Sequence, residues 1–211
     1  MRRILYCLVF AAGLSLLVAG GALGATQMGV YGATDLMWTP TPHTLNPGTV
    51  SLAADFLQGG DNYFNADLGL AENLEVGLTV EAFQGETTLS GRGKYQILKE
   101  NGNNPSLAIG VEDISSGAIS PYLVVGKTFP AAGVQGYLGF GGNDFNGLFG
   151  GLSKNFTFSK GSGIRRMQLF VEADSWEVNV GTRFDLSSQV QLNFGLVNMK
   201  DWILGARFTI K

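Results

Sequence analysis

The chain contains a single histidine and a single cysteine, so imidazole or thiolate chemistry would rest on two side chains. His43 stands in TPTPHTL, a stretch interrupted by Pro40, Pro42 and Pro47. A zinc site needs several converging ligands, and a Ser-His pair needs a histidine held by a rigid element. No second ligand stands at useful spacing from His43, which therefore reads as a surface histidine in a Pro-rich arm. Glu172 and Glu177 would face one another across a hairpin turning at Asp174-Ser175, and paired carboxylates are what glycoside hydrolysis uses. Nothing beside them resembles a sugar cleft, so they read as carboxylates near a wet rim. The Gly-rich run GFGGNDFNGLFGG (139–151) is followed by no helical pattern. The helix N-terminus that cradles phosphate is missing there, and Asn143 and Asp144 read as a turn between strands. No catalytic residue, metal or cofactor is expected.

The charged residues are better explained by the elements that hold them. In RMQLFVEADSWEVNVGTRFDL (166–186), Met167, Leu169, Val171 and Ala173 alternate with Arg166, Gln168, Phe170, Glu172 and Asp174. Beyond Ser175, Trp176, Val178, Val180, Thr182 and Phe184 alternate with Glu177, Asn179, Gly181, Arg183 and Asp185. A period of two puts the two sets on opposite faces of a strand. Comparable segments, bounded by Gly, Asn, Asp, Ser or Pro, predict strands at 48–58, 61–70, 74–83, 86–98, 105–113, 119–129, 132–142, 146–158, 164–174, 176–186, 189–198 and 202–210.

Turn lengths tie these faces together, because a one-residue slip sends every side chain to the other face. A two-residue turn at Asp174-Ser175 pairs Val171 with Val178 and Leu169 with Val180. A three-residue turn at Met199-Lys200-Asp201 puts Leu196 opposite Leu204, Phe194 opposite Ala206 and Leu192 opposite Phe208. The turn Ala71-Glu72-Asn73 pairs Leu70 with Leu74, Leu68 with Val76 and Phe64 with Val80. Gln84-Gly85 offers a two-residue hairpin loop. Counting outward from it, Val80 meets Leu89, Gly77 meets Arg92 and Glu75 meets Lys94, with Asp67 on the other side of Gly77. Two ion pairs, Glu75–Lys94 and Asp67–Arg92, are therefore expected on the polar face, which also carries Arg207. In 105–158 the alternation is poor, and the faces there are left unassigned.

Composition fits this picture. Glycine is abundant at 31 residues, and charged residues make up 15%, against about 25% in ordinary globular chains. Residues 1–24 read as a secretory signal peptide: Arg2 and Arg3, an apolar run from Ile4 to Val18, then the small residues Ala22 and Gly24. Cys7 lies within it, which leaves the mature chain without thiol chemistry. Without Arg2 and Arg3, 12 basic residues face 17 acidic ones, a balance that disfavours nucleic acid as a partner. Residues 25–47 form a Pro-rich N-terminal segment that cannot be an ordinary central strand; an arm, a plug or a short edge element all fit. Residues 48–211 form the strand domain.

Alternation alone does not say which face is inside. Strands of about 9–11 residues are the length that crosses a bilayer when tilted. The clean apolar face, the mixed charges opposite it and the export signal favour an all-β, antiparallel transmembrane barrel of about twelve strands, in contact with outer-membrane lipid. Val178, Val180, Leu192, Phe194 and Leu204 are then expected to face lipid. Asp67, Glu75, Arg92, Lys94, Glu172, Glu177, Arg183 and Arg207 would line the lumen. Trp176 and Trp202, each just after a turn, would sit at the membrane interface. The alternative is a soluble periplasmic or secreted barrel with the apolar face inward and an apolar ligand inside it.

The tracts GATDLMWTPTPHTLNPGTVSL (32–52), KYQILKENGNNPSLAIGVEDI (94–114), YLVVGKTF (122–129), GLFGGLSKNF (147–156) and FVEADSWEVNVGTRFDLSSQVQLNFGL (170–196) resemble YjbH-type outer-membrane proteins. Gly32, Thr34 and Pro40 match a motif leading into the first strand, with Asp35 where a glycine would stand. Lys94, Tyr95 and Leu98, followed by Pro105, Leu107, Ala108, Gly110 and Asp113, match a second. The resemblance implies a bacterial outer-membrane barrel associated with exopolysaccharide production and export, with polysaccharide or export machinery as partners. The functions carried forward are such an accessory, a small passive channel, the soluble ligand-binding barrel, and a barrel-embedded lipid or lipopolysaccharide hydrolase.

Overall fold

The computed structural model describes residue 30 and residues 32–211, apart from 84–85, 115–118, 160–161 and 175–176. The expected signal peptide and Trp176 lie outside the described residues. Twelve antiparallel strands follow one another round a closed barrel, in which β1 also pairs with β12. They are β1 (Val50–Leu57), β2 (Asn62–Ala71), β3 (Leu74–Phe83), β4 (Glu86–Leu98), β5 (Ser106–Glu112), β6 (Ser120–Phe129), β7 (Val134–Gly141), β8 (Gly147–Thr157), β9 (Arg166–Asp174), β10 (Glu177–Asp185), β11 (Val190–Val197) and β12 (Asp201–Ile210). Closure leaves no sheet edge, which is the condition a sheet must meet in lipid, where nothing else satisfies backbone N–H and C=O groups.

The faces have the polarity of a membrane barrel. Leu52, Phe56, Phe64, Leu78, Leu192, Phe194, Leu204 and Phe208 are exposed on the outer wall. Their strand neighbours Ser51, Asp55, Asn65, Asp67, Thr79, Gln191 and Arg207 are buried inside. That is the reverse of a soluble barrel with an apolar interior. Val178 shares the outward parity of Val180 yet is only 7% exposed, so its expected lipid contact is not seen. Lys154 also has outward parity. It is fully buried near the end of β8, where its ammonium donates to the Ala132 carbonyl at 2.9 Å and lies 5.8 Å from the centre of the Phe156 ring.

Register follows the count made from the sequence in one hairpin and departs from it in others. In β3–β4, Val80 pairs with Leu89, Gly77 with Arg92 and Glu75 with Lys94. In β2–β3, Leu68 pairs with Val76 and Phe64 with Val80, but a bulge between Gly69 and Ala71 removes the Leu70–Leu74 pair. In β9–β10 the pairs are Val171–Val180, Ala173–Val178 and Asp174–Glu177, which moves the turn one residue on and takes Glu177 away from Glu172. In β11–β12 the pairs are Leu196–Trp202, Phe194–Leu204 and Leu192–Ala206. Asn198 and Met199 there adopt positive φ of 51° and 55°, so the turn is Asn198-Met199-Lys200. Both slips are by two residues, which preserves the faces.

The unassigned strands β5–β8 have a partly apolar lumen as well as an apolar outer wall, with Ser106, Glu112, Ser120, Ser153 and Asn155 also buried inside. Ala108, Tyr122, Val124, Phe145 and Phe149 cluster inside. Tyr122 lies over Gly110 and Phe149 over Gly139, where a Cβ would overlap the ring. Where rings and glycines take inner positions, the contrast between the faces fades and with it the alternation in the sequence.

Candidate functional site

The lumen is filled by the N-terminal segment. Backbone bonds fold it on itself: Val30 N–H to the Met37 carbonyl at 2.8 Å, Leu36 N–H to the Thr39 carbonyl at 2.9 Å and Asp35 N–H to the Gly32 carbonyl at 3.5 Å. Pro40 and Pro42 have no N–H for a ladder, so the segment cannot extend the sheet. Its remaining polar groups must find partners on the barrel wall.

The charged wall residues supply them. Glu172 of β9 accepts from three successive backbone N–H groups, Met37 at 2.9 Å, Trp38 at 2.9 Å and Thr39 at 3.1 Å. Asn179 of β10 donates to the same carboxylate at 3.0 Å. Arg183 of β10 donates to the carbonyls of Asp35, at 2.9 Å, and Leu36. Lys94 of β4 lies 2.6 Å from Asp35 and 3.9 Å from Glu75. Glu75 in turn accepts from the Thr34 hydroxyl at 3.1 Å and the Leu45 N–H at 2.8 Å. Four expected lumen charges, Glu75, Lys94, Glu172 and Arg183, thus hold one segment from several sides. A one-sided attachment would leave buried polar groups unpaired, at roughly 1–3 kcal/mol each.

Inward-facing glycines make the room. A Cβ on Gly151 would overlap Leu36, one on Gly195 would overlap Met37, and one on Gly69 would overlap the Asn46 backbone. A Cβ on Gly126 would sit 2.7 Å from Pro42. Val30, Leu36 and Met37 join Tyr137, Phe170 and Ile203 in a buried apolar cluster, so the plug has a core of its own with the wall.

The other expected charges have different roles. Asp67 accepts from Arg92 Nε at 2.9 Å and pairs with Arg207 at 3.4 Å. This cluster crosses β1–β4 and β12 and reaches over Gly77, where a Cβ would stand 2.7 Å from Arg92 Nε. Glu177 is exposed at the end of the barrel away from β1's start and accepts from the Asn198 amide at 3.0 Å. Trp202 is exposed on the outer wall at that same end. His43 is not the surface residue expected of a Pro-rich arm. It is half-buried in the lumen, edge-on to Tyr137 at 6.2 Å. Burial, aided by the charge of Lys94, pushes its imidazolium down to about 4. Sequence reasoning missed Asp35, Leu36, Met37 and Trp38. The one available signal was an acid inside an uncharged Pro-rich tract.

Comparison with solved structures relates this barrel to a KdgM porin, with a TM-score of 0.56, 13% identity, and 77% of this chain and 99% of that one covered. The Omp33 outer-membrane protein of Acinetobacter baumannii matches at a TM-score of 0.47 and 9% identity, over 77% and 96% of the two chains. The N-terminal β-barrel domain of Pseudomonas aeruginosa OprF matches at 0.26 and 12%, over 79% and 100%. No protein-family model and no curated protein matches the sequence. The likeness to the KdgM porin is one of fold: a closed antiparallel barrel of the outer-membrane type.

Proposed function

We propose that the chain is a non-enzymatic barrel of the bacterial outer membrane whose pore is closed by its own N-terminal segment, so that passage requires residues 30–47 to move. The observation that carries this reading is the Glu172 carboxylate, which holds the N–H groups of Met37, Trp38 and Thr39 together across the lumen. An acceptor-only ion buried in a wall is costly to keep without donors, and here the plug provides them. The outer wall of Leu and Phe side chains supports the membrane setting.

A finer reading makes the chain a YjbH-type accessory to exopolysaccharide production or export. Its support is that the two tracts carrying that resemblance lie together in the fold, with Lys94 of the second meeting Asp35, the position at which the first departs from the pattern. Polysaccharide or export machinery would then be the agent that displaces the plug.

Planar-bilayer recording of the refolded chain tests the closed pore. The wild type is expected to insert with little steady conductance, and Asp35→Asn to open more often because it loses the Lys94 pair. A large, constant conductance from the wild type would refute the plug. Recovery in a soluble fraction, instead of as a heat-modifiable band in the outer membrane, would refute the membrane setting.

A further inference from the structure

At the end of the barrel away from the start of β1, the lumen opens into a cup of about 630 Å³. Six carboxylates line it, Glu81, Glu112, Asp113, Asp144, Asp174 and Glu177, with no lysine or arginine among its lining residues. Trp38 of the plug also lines it, edge-on to Tyr63 with ring centroids 5.4 Å apart.

Clustered acids by themselves gather only diffuse counter-ions. Glu112 adds a second, independent feature. It is 7% exposed, faces inward from β5 and borders the cup. Among the described residues its carboxylate receives no hydrogen bond and no ion pair within 4 Å. Asp35, Arg92 and Lys94 all act on it through space, but Arg92 and Lys94 direct their N–H groups to Asp67 and Asp35. The Glu112 oxygens open to the cup, so any donor to this carboxylate must come from there. Beside it, the Asp113 and Asp144 carboxyls share a hydrogen bond, and burial together with that contact pushes Asp113 up to about 6. A cation between them would take the place of the shared proton.

We propose that this cup is a binding site for an organic polycation, a linear polyamine or a ligand bearing two or more ammonium groups. Ammonium groups are donors only and match an acceptor-only wall. Trp38, Tyr63 and Phe145 line the cup and supply apolar ring surface for the ligand's methylenes. The volume lies within the roughly 300–1,000 Å³ of small-molecule sites. Among the described residues no three acids converge tightly enough to hold a metal ion, which favours charges spread along a chain. The bound ligand would rest on the plug. The site thus adds a ligand class to the closed barrel.

The test is calorimetric titration of spermidine into the full chain refolded in uncharged micelles near neutral pH. Saturable binding that weakens with salt is expected, with no uptake of neutral or acidic sugars. Glu112→Gln and Asp144→Asn should each weaken it about tenfold, the effect of one lost charge-assisted contact. Glu72→Gln, at the opposite end and paired with Lys99, should leave it unchanged. Heat-modifiability checks that each variant is folded; if Glu112→Gln does not fold, Asp144→Asn decides alone. No saturable binding, or equal affinity in the wild type and the folded cup variants, would overturn the site. Conductance plays no part in this readout, so an open wild-type pore would refute the plug without touching the cup.

Discussion

Glu172→Ala should release the plug while leaving the barrel closed. The substitution removes the acceptor for the N–H groups of Met37, Trp38 and Thr39, at 2.9, 2.9 and 3.1 Å. Hydrogen bonds to a charged group are worth about 1.5–3 kcal/mol each. Loss of all three would give an upper bound of roughly 4–9 kcal/mol, but water entering the vacated space will satisfy some of the N–H groups. A net loss of about 3 kcal/mol is a reasonable central value, and it shifts the docked–undocked equilibrium by roughly two orders of magnitude. The backbone of residue 172 pairs with Gly151 and Asn179 on neighbouring strands, and those bonds do not depend on its side chain. Amide hydrogen exchange of the refolded protein is the assay. Protection should fall at residues 37–39 and persist in β9 and β10. Glu172→Gln, which keeps one acceptor oxygen but turns an NH₂ toward three donors, should fall between. Unchanged protection at 37–39 in the alanine variant would refute the argument, and loss of protection throughout the barrel would show that Glu172 serves the wall and not the plug.

Gly77→Val should prevent heat-modifiable folding, because its side chain would displace the Asp67–Arg92 pair, whereas Gly93→Ala, with nothing within 4 Å of the added carbon, should fold normally on the same gel. Phe194→Arg, at an outer-wall site that is 46% exposed, should cost about 2–4 kcal/mol of folding into lipid vesicles if it lies at the bilayer midplane; full tolerance would argue that β11 does not face lipid. His43 is held neutral down to about 4 when the plug is docked and titrates at 6.5 when free. Only the displaced form binds a proton in that window, so the His43 contribution to docking should fade as pH falls from 6.5 to 4; exchange at residues 37–39 should show this, and His43→Gln should abolish that component. Trp202, studied with Trp176 and Trp38 replaced by Phe, should be quenched more by lipids labelled near the headgroup than by deep labels; equal quenching would refute an interfacial position.

The strand count, the antiparallel order and the two faces follow from the sequence because they depend on local quantities: alternation with a period of two and the parity of turns. Where both held, even register could be counted, as for Glu75 opposite Lys94 in β3–β4. Where a turn could be moved by two residues without changing parity, as at Asn198-Met199-Lys200, the sequence had no means of choosing, and the positive φ of Asn198 and Met199 decided. In β5–β8 the signal faded because rings lying over glycines line part of the lumen there, so the inner face loses much of its polarity. The role of the luminal charges belonged to tertiary structure alone. Alternation says that Glu172, Arg183 and Lys94 share a face, but only closure of the barrel brings strands β4, β9 and β10 round one space. The segment that fills this space is joined to its partners by contacts spanning, for Glu172 and Met37, 135 positions of sequence. No local period records such a contact, which is why the sequence left the Pro-rich segment open as an arm, a plug or an edge element until the wall that holds it was in place.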